Sequence, residues 1–301
     1  MDMLKKRQNE VFLGKKMLNN RYTLAKKIGE GGLSEVYEAS DIYAQYFNDT
    51  RDLVIKLPLQ EIATKKDMVA FVYSEYSLLN KIRHENIVKV LDFGIDEESE
   101  LAYIVMERLD GNLLMNIPIH SMSKKMKNNI AFSLYKSIEY IHSLGIVHAD
   151  INPTNLMVAD SGYSQLFDFG ISQNLRNKTS FSLDYNKMNA FNPRYSAPEV
   201  LEGNSPTIKT DLFSLACVLF ELYTGELPFK DSSLELKESQ INPELLRKIP
   251  FLQRSWFVTA LEYDENMRDE KIPFFIRLNI YLSKCSKMGN NETQKCVFNE
   301  K

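Results

Sequence analysis

Val147-His148-Ala149-Asp150-Ile151-Asn152-Pro153-Thr154-Asn155 decides how this chain is read. The stretch sets a carboxylate, and five residues later a carboxamide, in a short polar loop. Leu144, Ile146 and Val147 lead into it, and Leu156, Met157 and Val158 lead out. Apolar runs this short fit strands flanking a loop. Thirteen residues beyond Asn155, a second strand-like pair, Leu166-Phe167, runs into Asp168-Phe169-Gly170. Acids and an amide at strand ends offer oxygen ligands, and Mg²⁺ takes only one or two protein carboxylates before completing its shell with water and phosphate. The pattern points to phosphate transfer. Taken alone it also fits an Asx-rich turn without chemistry, since Asp and Asn are ordinary turn residues.

Composition sets the outer limits. A chain of 301 residues can bury a sizeable core, as one large domain or two lobes. A net charge of −3 disfavours nucleic acid as the main partner. Cys217, Cys285 and Cys296 lack metal-ligand spacing. An odd, sparse set suits a reducing, cytoplasmic setting better than a disulfide framework. No apolar run reaches the roughly 18–20 residues of a membrane span. Lys5, Lys6 and Arg7 precede no signal-peptide core. Residues 1–20 read as a solvated extension and 283–301 as a polar tail.

Upstream of the loop, Tyr22 to Ala39 reads as strand, glycine-rich turn and strand, with Gly29-Glu30-Gly31-Gly32-Leu33-Ser34 at the tip. Glycines there let backbone amides approach a phosphate. No helix follows, which argues against a dinucleotide fingerprint. Leu53-Val54-Ile55-Lys56-Leu57 is a third strand with one lysine among aliphatics. The polar segment Asp41 to Asp52 reads as an exposed loop. Asp67 to Ile82 carries a helical stripe of Val72, Glu75, Leu79 and Ile82. An inward carboxylate needs a cation, and Lys56 is the obvious one. The alternatives are a snorkelling lysine and a glutamate at the stripe's edge.

Strands are expected at Ile87–Phe93 and Leu101–Met106, followed by a polar connector, Glu107 to Gly111. Lys124 to Leu144 patterns as an amphipathic helix. Thr210 to Thr224 is apolar on nearly every face and therefore a core helix, with Asp211 placed to act at its N-terminus and Gly225 to end it. Further helices fit Pro243–Arg247, Arg254–Tyr263 and Pro273–Leu282.

The order of these features over residues 20–282 resembles the eukaryotic-type protein kinase family. Gly29 to Val36 looks like its glycine-rich loop, Val54-Ile55-Lys56 its third-strand lysine motif and Glu75 the helix partner. His148-Ala149-Asp150 to Asn155 looks like the catalytic loop, Asp168-Phe169-Gly170 the metal-binding motif and Ala197-Pro198-Glu199 the end of the activation segment. Asp211 matches the anchor of the central helix, and Arg268 the ion-pair partner of Glu199. The full ordered set is far more specific than any one motif.

The resemblance implies an α+β, two-lobed fold: a small antiparallel N-lobe (about 21–107) with one helix, a hinge, and a mostly helical C-lobe (about 112–282), with ATP between them. It implies an ATP- and Mg²⁺-dependent kinase acting on a protein Ser or Thr. Asp150 would orient the substrate hydroxyl, Lys56 held by Glu75 would contact phosphates, and Asn155 with Asp168 would hold Mg²⁺. Ile28, Gly29, Glu30, Gly31, Gly32, Leu33, Ser34, Val36, Val54, Met106, Glu107, Leu109 and Met157 complete the implied nucleotide site.

Several residues depart from the family pattern. Ser34 replaces the third glycine and Val54 the usual alanine. Ala149 replaces the arginine that binds an activation-loop phosphate, so activity is expected not to need phosphorylation at Thr179, Ser180, Ser182 or Tyr185. Asn152 stands where Ser/Thr kinases place a lysine, and Asn192 where a threonine is usual. These changes keep open a nucleotide-binding pseudokinase or scaffold, and a kinase-like small-molecule phosphotransferase.

Overall fold

Leu53, Ile55 and Leu57 lie on one face of strand Leu53–Pro58 and are buried with Leu18, Tyr22, Leu24, Tyr103 and Val105, as period-2 alternation requires. The computed structural model describes residues 16–31, 33–49, 51–59, 66–176, 192–237 and 241–272. In it this strand, β4, belongs to a six-stranded antiparallel sheet. The other strands are Met17–Leu18 (β1), Tyr22–Glu30 (β2), Ser34–Asp41 (β3), Val90–Ile95 (β5) and Ala102–Glu107 (β6), in the order β1-β2-β3-β4-β6-β5. Register pairs Val36 with Lys56, Lys56 with Ile104, and Val54 with Met106.

Among the described residues two helices accompany the sheet, the expected one and a short one before it. Helix α2, Lys66–Leu79, buries Phe71, Val72, Glu75, Leu78 and Leu79. Helix α1, Ile42–Tyr46, lies in the segment expected as a loop. Asp41 caps it by accepting the Tyr43 amide at 2.9 Å, and Ile42 turns into the core. The signal was the Asx cap, a local hydrogen bond that competes with an open loop. The expected extension is also shorter than 1–20. Met17–Leu18 pairs with β2, Leu18 is fully buried, and the Asn19 amide donates to Asp96 at 2.8 Å.

The described residues divide into two compact units. One holds this sheet and its helices; the other holds His84–Ile87 and the described residues from Asp110 onward. The second unit is mainly helical, which gives the α+β, two-lobed protein-kinase-like fold. Its helices are Lys124–Ser143 (α3), Pro198–Leu201 (α4), Ile208–Thr224 (α5), Pro243–Lys248 (α6) and Arg254–Ala260 (α7). Short antiparallel pairs frame its loops: Asn112–Leu113 (β7) and Ser164–Leu166 (β10) flank Leu156–Val158 (β9), and Ile146–Val147 (β8) pairs with Gln173–Asn174 (β11).

Helix α3 buries Ile130, Leu134, Ile138 and Ile141, and α5 is buried on nearly every face. The α5 N-cap is Thr207, in a capping box with Thr210, so Asp211 lies inside the helix and is free for other work. Gly225 ends α5 at φ 86°, the left-handed conformation that glycine adopts without a Cβ penalty. Gly111 has a second reason to be glycine: a Cβ there would lie 2.2 Å from the Val158 carbonyl oxygen.

Other boundaries shift. The strand expected at Ile87–Phe93 begins at Val90, and Ile87 instead bridges Leu166 in the second unit. Helix α7 stops at Ala260, where Leu261 and Glu262 turn back. Gly32, the candidate phosphosites Thr179, Ser180, Ser182 and Tyr185, the helix expected at Pro273–Leu282 and the 283–301 tail lie outside the described residues. Among the described residues, no helix is long and apolar enough to cross a membrane.

Candidate active site

The catalytic-type loop is held from below by one buried carboxylate. Asp211, on α5, is fully buried. Its Oδ2 accepts the His148 amide and lies 2.8 Å from His142 Nε2, and its Oδ1 accepts the Ala149 amide at 2.8 Å. Charge-assisted bonds of this kind are the strong ones. They pin Ala149 at φ 72°. Asp168 is left-handed too, at φ 63°. Non-glycine residues hold that conformation only when their surroundings over-determine it. For Asp168 those surroundings include Phe169, fully buried, with its ring 4.6 Å from that of His148.

Asp150 follows Ala149, and polar groups converge on its carboxylate. Asn155 Nδ2 donates to Oδ2 at 2.6 Å and Asn152 Nδ2 to Oδ1 at 2.8 Å. Burial pushes the Asp150 pKa up to about 6, helped by the negative charge of Asp168 and opposed by hydrogen bonding from Asn155, Asn152 and the Asn192 backbone. The carboxylate keeps lone pairs for a further donor such as a hydroxyl.

Asn155 and Asp168 present oxygen donors of the kind hard cations take. Asn155 commits its amide nitrogen to Asp150, through both Oδ2 and the backbone carbonyl. That identifies its other side-chain atom, Oδ1, as an acceptor, which the Thr154 hydroxyl meets at 3.4 Å, and the donor set fits Mg²⁺. Among the described residues there is no cluster of three or more His, Cys, Asp or Glu arranged for a metal.

In the sheet unit, Lys56 Nζ lies 2.7 and 2.9 Å from the two carboxylate oxygens of Glu75. The side chains are 11% and 2% exposed, so the pair is largely out of water. The β2–β3 hairpin closes through the Gly31 amide on the Ser34 carbonyl at 2.8 Å, and Gly29 faces Val36 across it. Glu30, near the tip, is held by Lys27, which also binds Glu35 at 2.6 Å. Val54 and Met106 are buried as cross-strand partners, whereas Ile28 is exposed. Leu33 accepts the Leu59 amide through its carbonyl, Glu107 ends β6, and Leu109 lies half-buried in the connector. Met157 lies on β9 in the second unit, in register with Leu113 and Gln165.

The structure therefore brings Lys56 to Glu75, and Asp150 to Asn155. Glu199 meets Arg268 at 2.8 Å, with the Arg268 guanidinium over the Phe213 ring. The resemblance already set Asn152 and Asn192 at positions that contact the catalytic aspartate in the family; sequence reasoning missed the direction of the Asn152 bond and the double amide clamp of Asp211. The one available signal was the Asn-x-Thr spacing of an Asx turn at Asn152.

Comparison with known proteins agrees with this geometry. The family model for the protein kinase domain matches residues 22–274. A probable serine/threonine-protein kinase of Clostridium perfringens is 30% identical over 258 residues, 83% of this chain and 36% of that protein. The serine/threonine-protein kinase PrkC of Bacillus subtilis is 32% identical over 228 residues, covering 74% and 33%. PknB of Mycobacterium leprae, also named a serine/threonine-protein kinase, is 32% identical over 217 residues, covering 70% and 34%. The chain spans about a third of the length of these relatives.

Proposed function

Because the chain belongs to the protein kinase family, we propose that it transfers the γ-phosphoryl group of ATP, with Mg²⁺, to a serine or threonine hydroxyl of a protein. One observation supports this most: Asp150 is held by asparagine amides on both oxygens, with Asn155 and Asp168 offering oxygen donors beside it. The names of the relatives support the choice of Ser/Thr. Residues 21–282 are read as the catalytic domain, with β1 added at its edge. ATP as donor and the sparse cysteines favour the cytoplasm as the place of action.

In this reading Asp150 accepts a hydrogen bond from the substrate hydroxyl, aims its oxygen at the γ-phosphorus and takes its proton as the new O–P bond forms, while the bond from the γ-phosphorus to the β–γ bridging oxygen breaks and ADP leaves. Lys56, kept in place by Glu75, binds phosphate oxygens. The Gly29–Ser34 turn covers the phosphates with backbone amides. By the family pattern Val36, Val54 and Met106 of the sheet unit would pack the adenine and the backbone near Glu107 and Leu109 would bind its edge, and the same pattern assigns Met157 to nucleotide binding. Asn155 and Asp168 would hold Mg²⁺, which would supply neutralisation of phosphate charge. The protein's work is positioning and charge stabilisation.

The test is transfer of labelled γ-phosphate from Mg-ATP to a generic basic protein. The expected result is acid-stable phosphoserine or phosphothreonine, abolished by Asp150→Ala and by Asp168→Ala. No transfer, together with ATP-dependent thermal stabilisation that Lys56→Ala removes, would overturn the reading in favour of a pseudokinase.

A further inference from the structure

We infer that Asn152 is the residue that fixes the orientation of the Asp150 carboxylate, acting as a neutral bracket between Asp150 and Thr154. The inference rests on the phosphotransfer reading above.

A carboxylate turns about its last torsion with little preference, because sp³–sp² torsions are broad. A base that must meet a hydroxyl at one angle needs both oxygens tied. Here Asn155 ties Oδ2 and Asn152 ties Oδ1. The two ties differ in kind. Asn155 is also a metal ligand in this reading, so its carboxamide serves two partners. Asn152 serves Asp150 without any stake in the metal.

The Asn152 side chain is itself fixed. It is 2% exposed. Its Oδ1 accepts the Thr154 amide at 2.8 Å and the Thr154 hydroxyl as well. The Thr154 amide can only donate, which identifies the atom facing it as the oxygen and leaves the nitrogen facing Asp150; a flip would set NH₂ against that amide and an oxygen against the carboxylate. Thr154 thus locks Asn152, and Asn152 locks Asp150. A buried carboxamide with both ends satisfied has no remaining capacity for a phosphate. Asn152 is therefore a positioning residue and not a substitute for a cation.

The experiment measures kcat and the KM for ATP with the full chain for the wild type, Asn152→Asp, Asn152→Ala, Thr154→Val and the Asn152→Ala/Thr154→Val pair. Asn152→Asp keeps shape but replaces the donor by an acceptor. It should lower kcat about tenfold to a hundredfold, with KM for ATP little changed. Thr154→Val should shift kcat the same way by less. The double variant should be no slower than Asn152→Ala, because one lock acts through the other. A purely structural role would lower the melting temperature without this split or this non-additivity. Wild-type kcat in Asn152→Asp or Asn152→Ala overturns the bracket alone. Wild-type protein that transfers no phosphate overturns the phosphotransfer reading, and the bracket with it.

Discussion

Asp211 accepts the backbone amide of Ala149 at 2.8 Å while Ala149 is held at φ 72°. A buried acid 62 residues away thereby sets the backbone just before Asp150. Its other oxygen takes the His148 amide and meets His142. Asparagine has one acceptor oxygen, and its NH₂ would face a donor. Asp211→Asn is expected to cost about 2–3 kcal/mol by chemical denaturation and to depress phosphate transfer beyond the loss of folded protein. A change within experimental error in both would contradict the clamp.

Ala149 itself gives a second prediction. Left-handed backbone penalises a Cβ, and a branched one more. Ala149 is also buried. Ala149→Val should therefore destabilise by about 2–4 kcal/mol, from strain and overpacking together. Ala149→Gly relieves the strain but loses a buried methyl and adds freedom to the unfolded chain, so it should stay within about 1 kcal/mol of wild type. Paired denaturation curves decide it; equal losses in both variants would rule out strain as the controlling factor.

The same methyl carries no charge to pair with a phosphate. Replacing Thr179, Ser180 or Ser182 by alanine, or Tyr185 by phenylalanine, should leave transfer within about threefold of wild type, since a phosphate acts by creating charge-assisted bonds to a cation. Single-site variants assayed side by side test this, and a large drop at any one of them would sink it.

Sequence was informative where a residue contradicted its surroundings. Lys56 among aliphatics and Glu75 on an apolar stripe each needed a partner, and each is the other's. Helix α5 was legible because it is apolar on every side. The sequence was silent where a contact depends on a turn. Asn152 and Thr154 are two apart, and only the 3₁₀ turn Pro153–Asn155, with Asn152 as its cap, sets the Thr154 amide on the Asn152 oxygen and leaves the nitrogen for Asp150. His142 and Asp211 meet across 69 residues with no pattern linking them. Helix α1 and strand β1 were missed because short polar segments gain their structure from one cap or one buried side chain, Asp41 and Leu18, which periodicity over a window cannot register.

Lys56 and Glu75 allow stability and nucleotide binding to be separated. Both side chains are nearly out of water. Removing one partner breaks a largely buried ion pair, so Lys56→Met or Glu75→Leu alone should cost about 3–5 kcal/mol. Replacing both by apolar residues removes both charges, and much of the loss should return. If Lys56 served stability alone, the double variant would also recover stabilisation by Mg-ATP. If it binds phosphate, the double variant should fold well and yet show no Mg-ATP-dependent rise in melting temperature, because the rise depends on ligand affinity for the folded state. A thermal scan of the wild type, both single variants and the double variant, each with and without Mg-ATP, distinguishes the two. A full nucleotide shift in the double variant would remove Lys56 from the phosphate site while leaving the ion pair's structural role intact.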